Sequence, residues 1–140
     1  MENKATVITV QTTVNVPLAK AWEYWSGPEH IIKWNSASED WHTPKAENDL
    51  RTGGKFFSRM EAKDGSFGFD FEGVYDLVRV HEYIAYHMAD GRQVQIFFTE
   101  ESDKTTVIEK FDAETQNPIE MQQTGWQAIM DNFKKYVESK

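Results

Sequence analysis

The sequence predicts an α+β fold in which a curved antiparallel β-sheet wraps around a long C-terminal helix, with two short helices after the first strand. Three observations carry that expectation. The first segment alternates apolar and polar residues, and the middle of the chain reads as strands joined at Asp-Gly turns. The last segment carries one apolar stripe at helical spacing.

From Thr6 to Val14, residues Ile8, Val10, Thr12 and Val14 share one face, the period of a strand. Pro17 suits a helix start, and Leu18, Ala21, Trp22 and Trp25 follow at amphipathic spacing up to Ser26-Gly27. Pro28 opens a second short helix with Ile31, Ile32 and Trp34 on its apolar side. From Ser38 to Phe111 the pattern is β. The segments 55–62 and 67–78 flank Asp64-Gly65, and 83–88 and 93–99 flank Asp90-Gly91, both tight-turn signals. Ser102-Asp103 turns the chain into a strand over 105–111, and such short connections imply an antiparallel meander.

Asn117 reads as the N-cap of the last helix, with Pro118 at its first position and Glu120 completing a capping box. Trp126, Ile129, Met130, Phe133 and Val137 form its stripe. Gly125 weakens a helix by about 1 kcal/mol relative to Ala, so a close neighbour is expected there.

At 140 residues the chain is near the commonest domain size, and residues 1–140 are read as one domain. It has no cysteine, which removes disulfides, thiolate nucleophiles and cysteine metal sites. Met1 to Lys4 shows no signal-peptide pattern, and no apolar run approaches the ~20 residues of a membrane span. A cytoplasmic location without membrane insertion is therefore the expectation. A net charge of −8 with no basic stripe argues against nucleic acid as a partner. His30, His42, His81 and His87 lack metal-ligand spacing, so neither a metal nor another cofactor is expected. Thr52-Gly53-Gly54 lacks the Lys-Ser/Thr of a phosphate loop and reads as a turn, and Glu100, Glu101 and Asp103 read as a solvated acidic turn.

Aromatic residues make up 14% of the chain, enough to line a pocket or to fill a dry core. Strand parity groups Phe67, Phe69, Phe71, Gly73, Tyr75 and Leu77 on the face toward the helix, and Asp70, Glu72 and Asp76 on the other. Candidate ligand-binding residues are Phe69, Phe71 and Tyr75, with Phe56 and Tyr86 from neighbouring strands and Trp126, Met130 and Phe133 from the helix above. Trp25 joins them, and Trp34 and Trp41 flank the loop at the pocket mouth. Glu72 is expected to point to solvent, unless a bulge near Gly73 re-aims it. No Gly-x-Ser-x-Gly or comparable nucleophile motif is present, so no catalytic residue is assigned.

Four stretches resemble a known family: Val16 to Trp22, Asn48 to Phe56 with its Asp-Leu-Arg-Thr-Gly-Gly core, Phe71 to Tyr75, and Gly125-Trp126. The chain is similar to the SRPBCC superfamily (START-like, pollen-allergen-like), and within it to activator of heat-shock-protein 90 ATPase type domains. The resemblance implies a helix-grip fold with a deep apolar cavity between sheet and C-terminal helix. The expected activity is binding of a small, mostly apolar molecule, as a carrier or sensor. The alternatives are a cyclase- or hydrolase-like enzyme using general acid–base chemistry in the same cavity, and a domain that interacts with a chaperone. Ligand identity, catalysis and oligomeric state stay open at this level.

Overall fold

A computed structural model describes residues 6–36 and 38–140; the expectation about Met1 to Lys4 lies outside them. Strand β1 (Val7–Val14) leads into helices α1 (Leu18–Ser26) and α2 (Pro28–Trp34). Six strands follow: β2 (Trp41–Asn48), β3 (Lys55–Ala62), β4 (Gly68–Arg79), β5 (Tyr83–Met88), β6 (Gln93–Glu101) and β7 (Lys104–Asp112). Helix α3 (Ile119–Glu138) closes the chain. The strands form one antiparallel sheet in the order β1-β7-β6-β5-β4-β3-β2, so β1 closes on the last strand rather than on its sequence neighbour. The sheet curls as a half-barrel over α3, the α+β helix-grip arrangement.

The turns follow from their residues. Gly65 and Gly91 take φ of 78° and 90°, and the side chains of Asp64 and Asp90 accept from the backbone N–H of Ser66 and Arg92. Ser102 and Asp103 also adopt positive φ, a backbone state that few other non-glycine residues tolerate as readily as Asp.

The helix starts are capped differently from the sequence expectation. Pro17 and Pro118 lie at the N-cap positions, and each carbonyl accepts two of the first intrahelical bonds at 3.1 Å. Neither proline can donate or cap with a side chain. For α1 the open N–H of Leu18 donates to Glu100, which is thus more than a solvated acid. Asn117 does not cap α3; its side-chain amide donates to Glu114, and the helix begins one residue later than expected.

The core lies between the concave sheet face and the C-terminal half of α3. Met130, Phe133 and Val137 are wholly enclosed there against Val10, Val14, Val94, Ile96, Val107 and Phe111. Trp25 meets Phe133, Trp34 and Phe98 at ring-centroid distances of 5.0–6.0 Å, tying α1 and α2 into the same cluster.

The parity of β4 breaks at Asp76. Register runs Tyr75↔Tyr86 and then Leu77↔Ala85, so a bulge holds one extra residue. Leu77, expected to face α3, is turned outward at 36% exposure, while Val78 packs on the core in its place. The Gly-Gly turn clamps this site. Gly53 N–H donates to the Tyr75 carbonyl, Tyr75 N–H donates to the Gly54 carbonyl, and Val78 N–H donates to Thr52 Oγ1.

Two glycines in the family-like stretches are held for opposite reasons. A Cβ on Gly54 would stand 2.0 Å from the Asp49 carbonyl oxygen, so the loop cannot accept one. A Cβ on Gly125 would meet nothing within 4 Å, so the close neighbour expected at that helical glycine is not there. Urea denaturation should therefore give opposite signs: Gly54→Ala destabilises, whereas Gly125→Ala stabilises by about 0.5–1 kcal/mol through helix propensity. Equal losses from both would refute this packing.

Candidate functional site

The N-terminal half of α3 is bonded to β1 through Gln123 and Gln127 and stacked on β7 through Trp126, but it stands off the middle of the sheet. A hollow of about 340 Å³ lies between them, at the low end of the range for small-molecule sites. Its wall is mainly apolar: Leu50, Phe56, Met60, Phe71, Ile84, Ile96, Trp126 and Ile129, with Trp25, Ile31 and Trp34 from the short helices. Trp126 lies flat on Phe111 at a centroid distance of 3.8 Å and 12°, and touches the Phe71 ring edge-on at 6.2 Å. The indole therefore stands as a spacer between helix and sheet. Phe56 lies over Gly73, where a Cβ would come within 2.7 Å of the ring, so this glycine is a close approach that lets an aromatic cover β4.

Of the candidate residues, Trp25, Trp34, Phe56, Phe69, Phe71, Tyr75, Tyr86 and Trp126 lie on the wall of the hollow. Met130 and Phe133 do not reach it, because one further turn along α3 the helix is already packed on the sheet. Trp41 is also off the wall, set against Phe67 and Phe69 at the sheet edge, and Phe67 itself is 63% exposed. Trp34 is fixed in place: it is buried, and its Nε1 donates to the Tyr24 carbonyl at 3.0 Å.

The polar groups on this mainly apolar wall include Tyr75, Gln122 and Glu109. Tyr75 Oη donates to Asn48 Oδ1 at 2.5 Å, and the Asn48 amide in turn donates to the Ser26 carbonyl, joining β4, β2 and α1. Burial holds the Tyr75 phenol well above its ordinary value, so it stays protonated. Near the start of α3, Gln122 donates to the carbonyls of Glu114 and Asn117 and accepts from Glu114 N–H, which locks the β7–α3 connection to the helix.

The third group is Glu109, which sequence reasoning missed. It is only 7% exposed and lines the hollow, on the same face of β7 as Val107 and Phe111 and paired across to Val10 and Ile96. Among the described residues no hydrogen bond offsets its burial, and desolvation pushes the carboxyl up to about 8. The neighbouring Tyr86 phenol is raised too, by burial first and by Glu109 second. The signal was legible: the phase that places Thr105, Val107 and Phe111 inward places Glu109 with them. Glu72, by contrast, is exposed on the opposite face, as parity requires.

Among the described residues no group of three His, Asp or Glu side chains is placed to hold a metal ion, and no helix is long and apolar enough to cross a membrane. The family model described as activator of Hsp90 ATPase homolog 1-like protein matches residues 15–138. The AHSA1-like protein of Aeromonas hydrophila is 43% identical, with a TM-score of 0.89 over 96% of this chain and 93% of its own. Chr148 of Cytophaga hutchinsonii is 52% identical, with a TM-score of 0.83 over 94% and 92%. CV1439 of Chromobacterium violaceum, at 20% identity and a TM-score of 0.85 over 95% and 98%, shares the fold. No curated protein matches the chain.

The Glu109 environment has a signed consequence for stability. Its folded-state value lies above the unfolded value of 4.5, so its contribution is complete below pH 4.5 and is lost as pH rises toward about 8. The stability gap between Glu109→Gln and the wild type should therefore widen by a few kcal/mol over that window and then level off. Denaturant titrations at a series of pH values read this directly. A gap that does not change with pH would place the carboxyl in water.

Proposed function

We propose, for a chain that belongs to the activator of Hsp90 ATPase homolog 1-like family, that it binds a small, mostly apolar molecule in the hollow beneath α3 as a carrier or sensor. The observation that supports this most is the wall itself. Large aromatic and aliphatic side chains leave about 340 Å³ unfilled where a core of this composition would ordinarily close. Apolar walls supply affinity in proportion to the area they cover, about 25 cal/mol per Å². The few inward polar groups then fix orientation.

The runner-up is a cyclase- or hydrolase-like catalyst using general acid–base chemistry. One observation favours it: Glu109, held near 8, is a neutral acid poised close to neutral pH. Against it, the Tyr86 phenol beside Glu109 is raised by burial, stays protonated and so is not available as a base. A single carboxyl without an activated nucleophile or second acid–base group suits recognition better than turnover. A chaperone-directed role rests on the family description alone and stands third.

The neutral fluorophore N-phenyl-naphthylamine should bind one to one with a rise in its emission and a change in tryptophan emission. Ser58 is buried on the wall, so Ser58→Phe fills the hollow and should weaken binding roughly tenfold or more while far-UV circular dichroism is retained. Binding that ignores this ring, in a folded variant, would move the ligand elsewhere.

A further inference from the structure

We propose that the hollow selects an apolar amine, with its ammonium group seated on Glu109 and its apolar body against Trp126, Phe71 and Tyr86. This rests on the reading of the hollow as a ligand site and adds the charge of the ligand to it.

Several titratable groups line the hollow with Glu109: the Tyr86 phenol from β5, which feels its charge, the Tyr75 phenol from β4, Arg92 from the β5–β6 turn, and Glu114 from the β7–α3 connection. Glu47 of β2 stands at the edge, 3.1 Å from Lys45. Arg92, the one cation on the wall among the described residues, is held by Asp90 at 2.7 Å and has Glu114 as a further acidic neighbour. Burial is what acts on Glu109, and no basic group offsets it. An inward carboxyl with no hydrogen-bond partner among the described residues, on a mainly apolar wall, offers an ammonium group its counterion.

Ligand charge then sorts three ways. An apolar acid could accept one bond from the protonated Glu109, but its charge would lie on a wall that also carries Glu114 and Glu47, with only an already paired guanidinium to meet it. A neutral alcohol would exchange one hydrogen bond with the protonated carboxyl. An amine does more: as a cation it makes a charge-assisted bond about twice as strong as a neutral one, and the surrounding rings replace part of the hydration it loses. Since burial keeps the Glu109 carboxyl protonated at neutral pH, taking up an ammonium ion displaces that proton.

The test is calorimetry with three ligands of one shape: naphthylethylamine, naphthylethanol and naphthylacetate. The amine should bind roughly tenfold or more tighter than the alcohol, and the acid weakest. In buffers of different ionisation enthalpy, the amine at pH 7 should release about one proton and the alcohol none. Glu109→Gln should bring amine and alcohol within about threefold of each other. Glu72→Gln, on the opposite and exposed face, should leave the preference in place. If the alcohol binds as tightly as the amine, the charge inference fails while the ligand site stands. If the acid binds best, Arg92 is the anchor and the proposal is overturned. If none of the three binds, both the inference and the ligand-site reading fall.

Discussion

The stack of Trp126 on Phe111 is the contact on which the rest of the site depends. A large ring laid flat between helix and strand sets how near the N-terminal half of α3 can come to the sheet. One turn later the facing residues are Met130 and Phe133, which interlock with the sheet and leave no room. The same helix therefore closes the core at one end and roofs a hollow at the other.

The opposite wall is fixed by backbone rather than by side-chain packing. The Gly53-Gly54 turn bonds to both sides of Tyr75, and Thr52 takes the Val78 N–H freed by the bulge at Asp76. Those bonds stop the register of β4 from sliding, so Tyr75 must point inward to Asn48. A loop that reads in sequence as a turn is thus the device that aims a wall residue. The close approach of Asp49 to Gly54 explains why that turn needs a glycine without positive φ at its second position.

Much of this was legible in the residues. Asp-Gly pairs marked two hairpins, period-2 alternation marked the strands, and the stripe from Trp126 to Val137 marked α3 and its buried side. What escaped has local causes. Leu77 went outward because one bulged residue inverts parity for everything after it, and no composition signal marks Asp76 as that residue. The caps differed because Pro17 and Pro118 serve as N-caps themselves, with Glu100 supplied from a distant turn. Trp41, Met130 and Phe133 were grouped with the wall because periodicity gives a face but not the depth at which a helix meets a sheet. Glu109 was in plain phase with Val107 and Phe111; its meaning appeared only once the strand was seen to run beneath the hollow.

A carboxyl placed among Val10, Ile96 and Phe111 without a partner is unfavourable for folding alone, which is why a ligand role explains its position better than packing does. The most direct measurement is a carbon-detected NMR titration of the Glu109 carboxyl in the ligand-free protein. The expected midpoint is about 8. A Glu109 midpoint near the ordinary 4.5 would mean that water or a cation already satisfies the group, and would contradict the account.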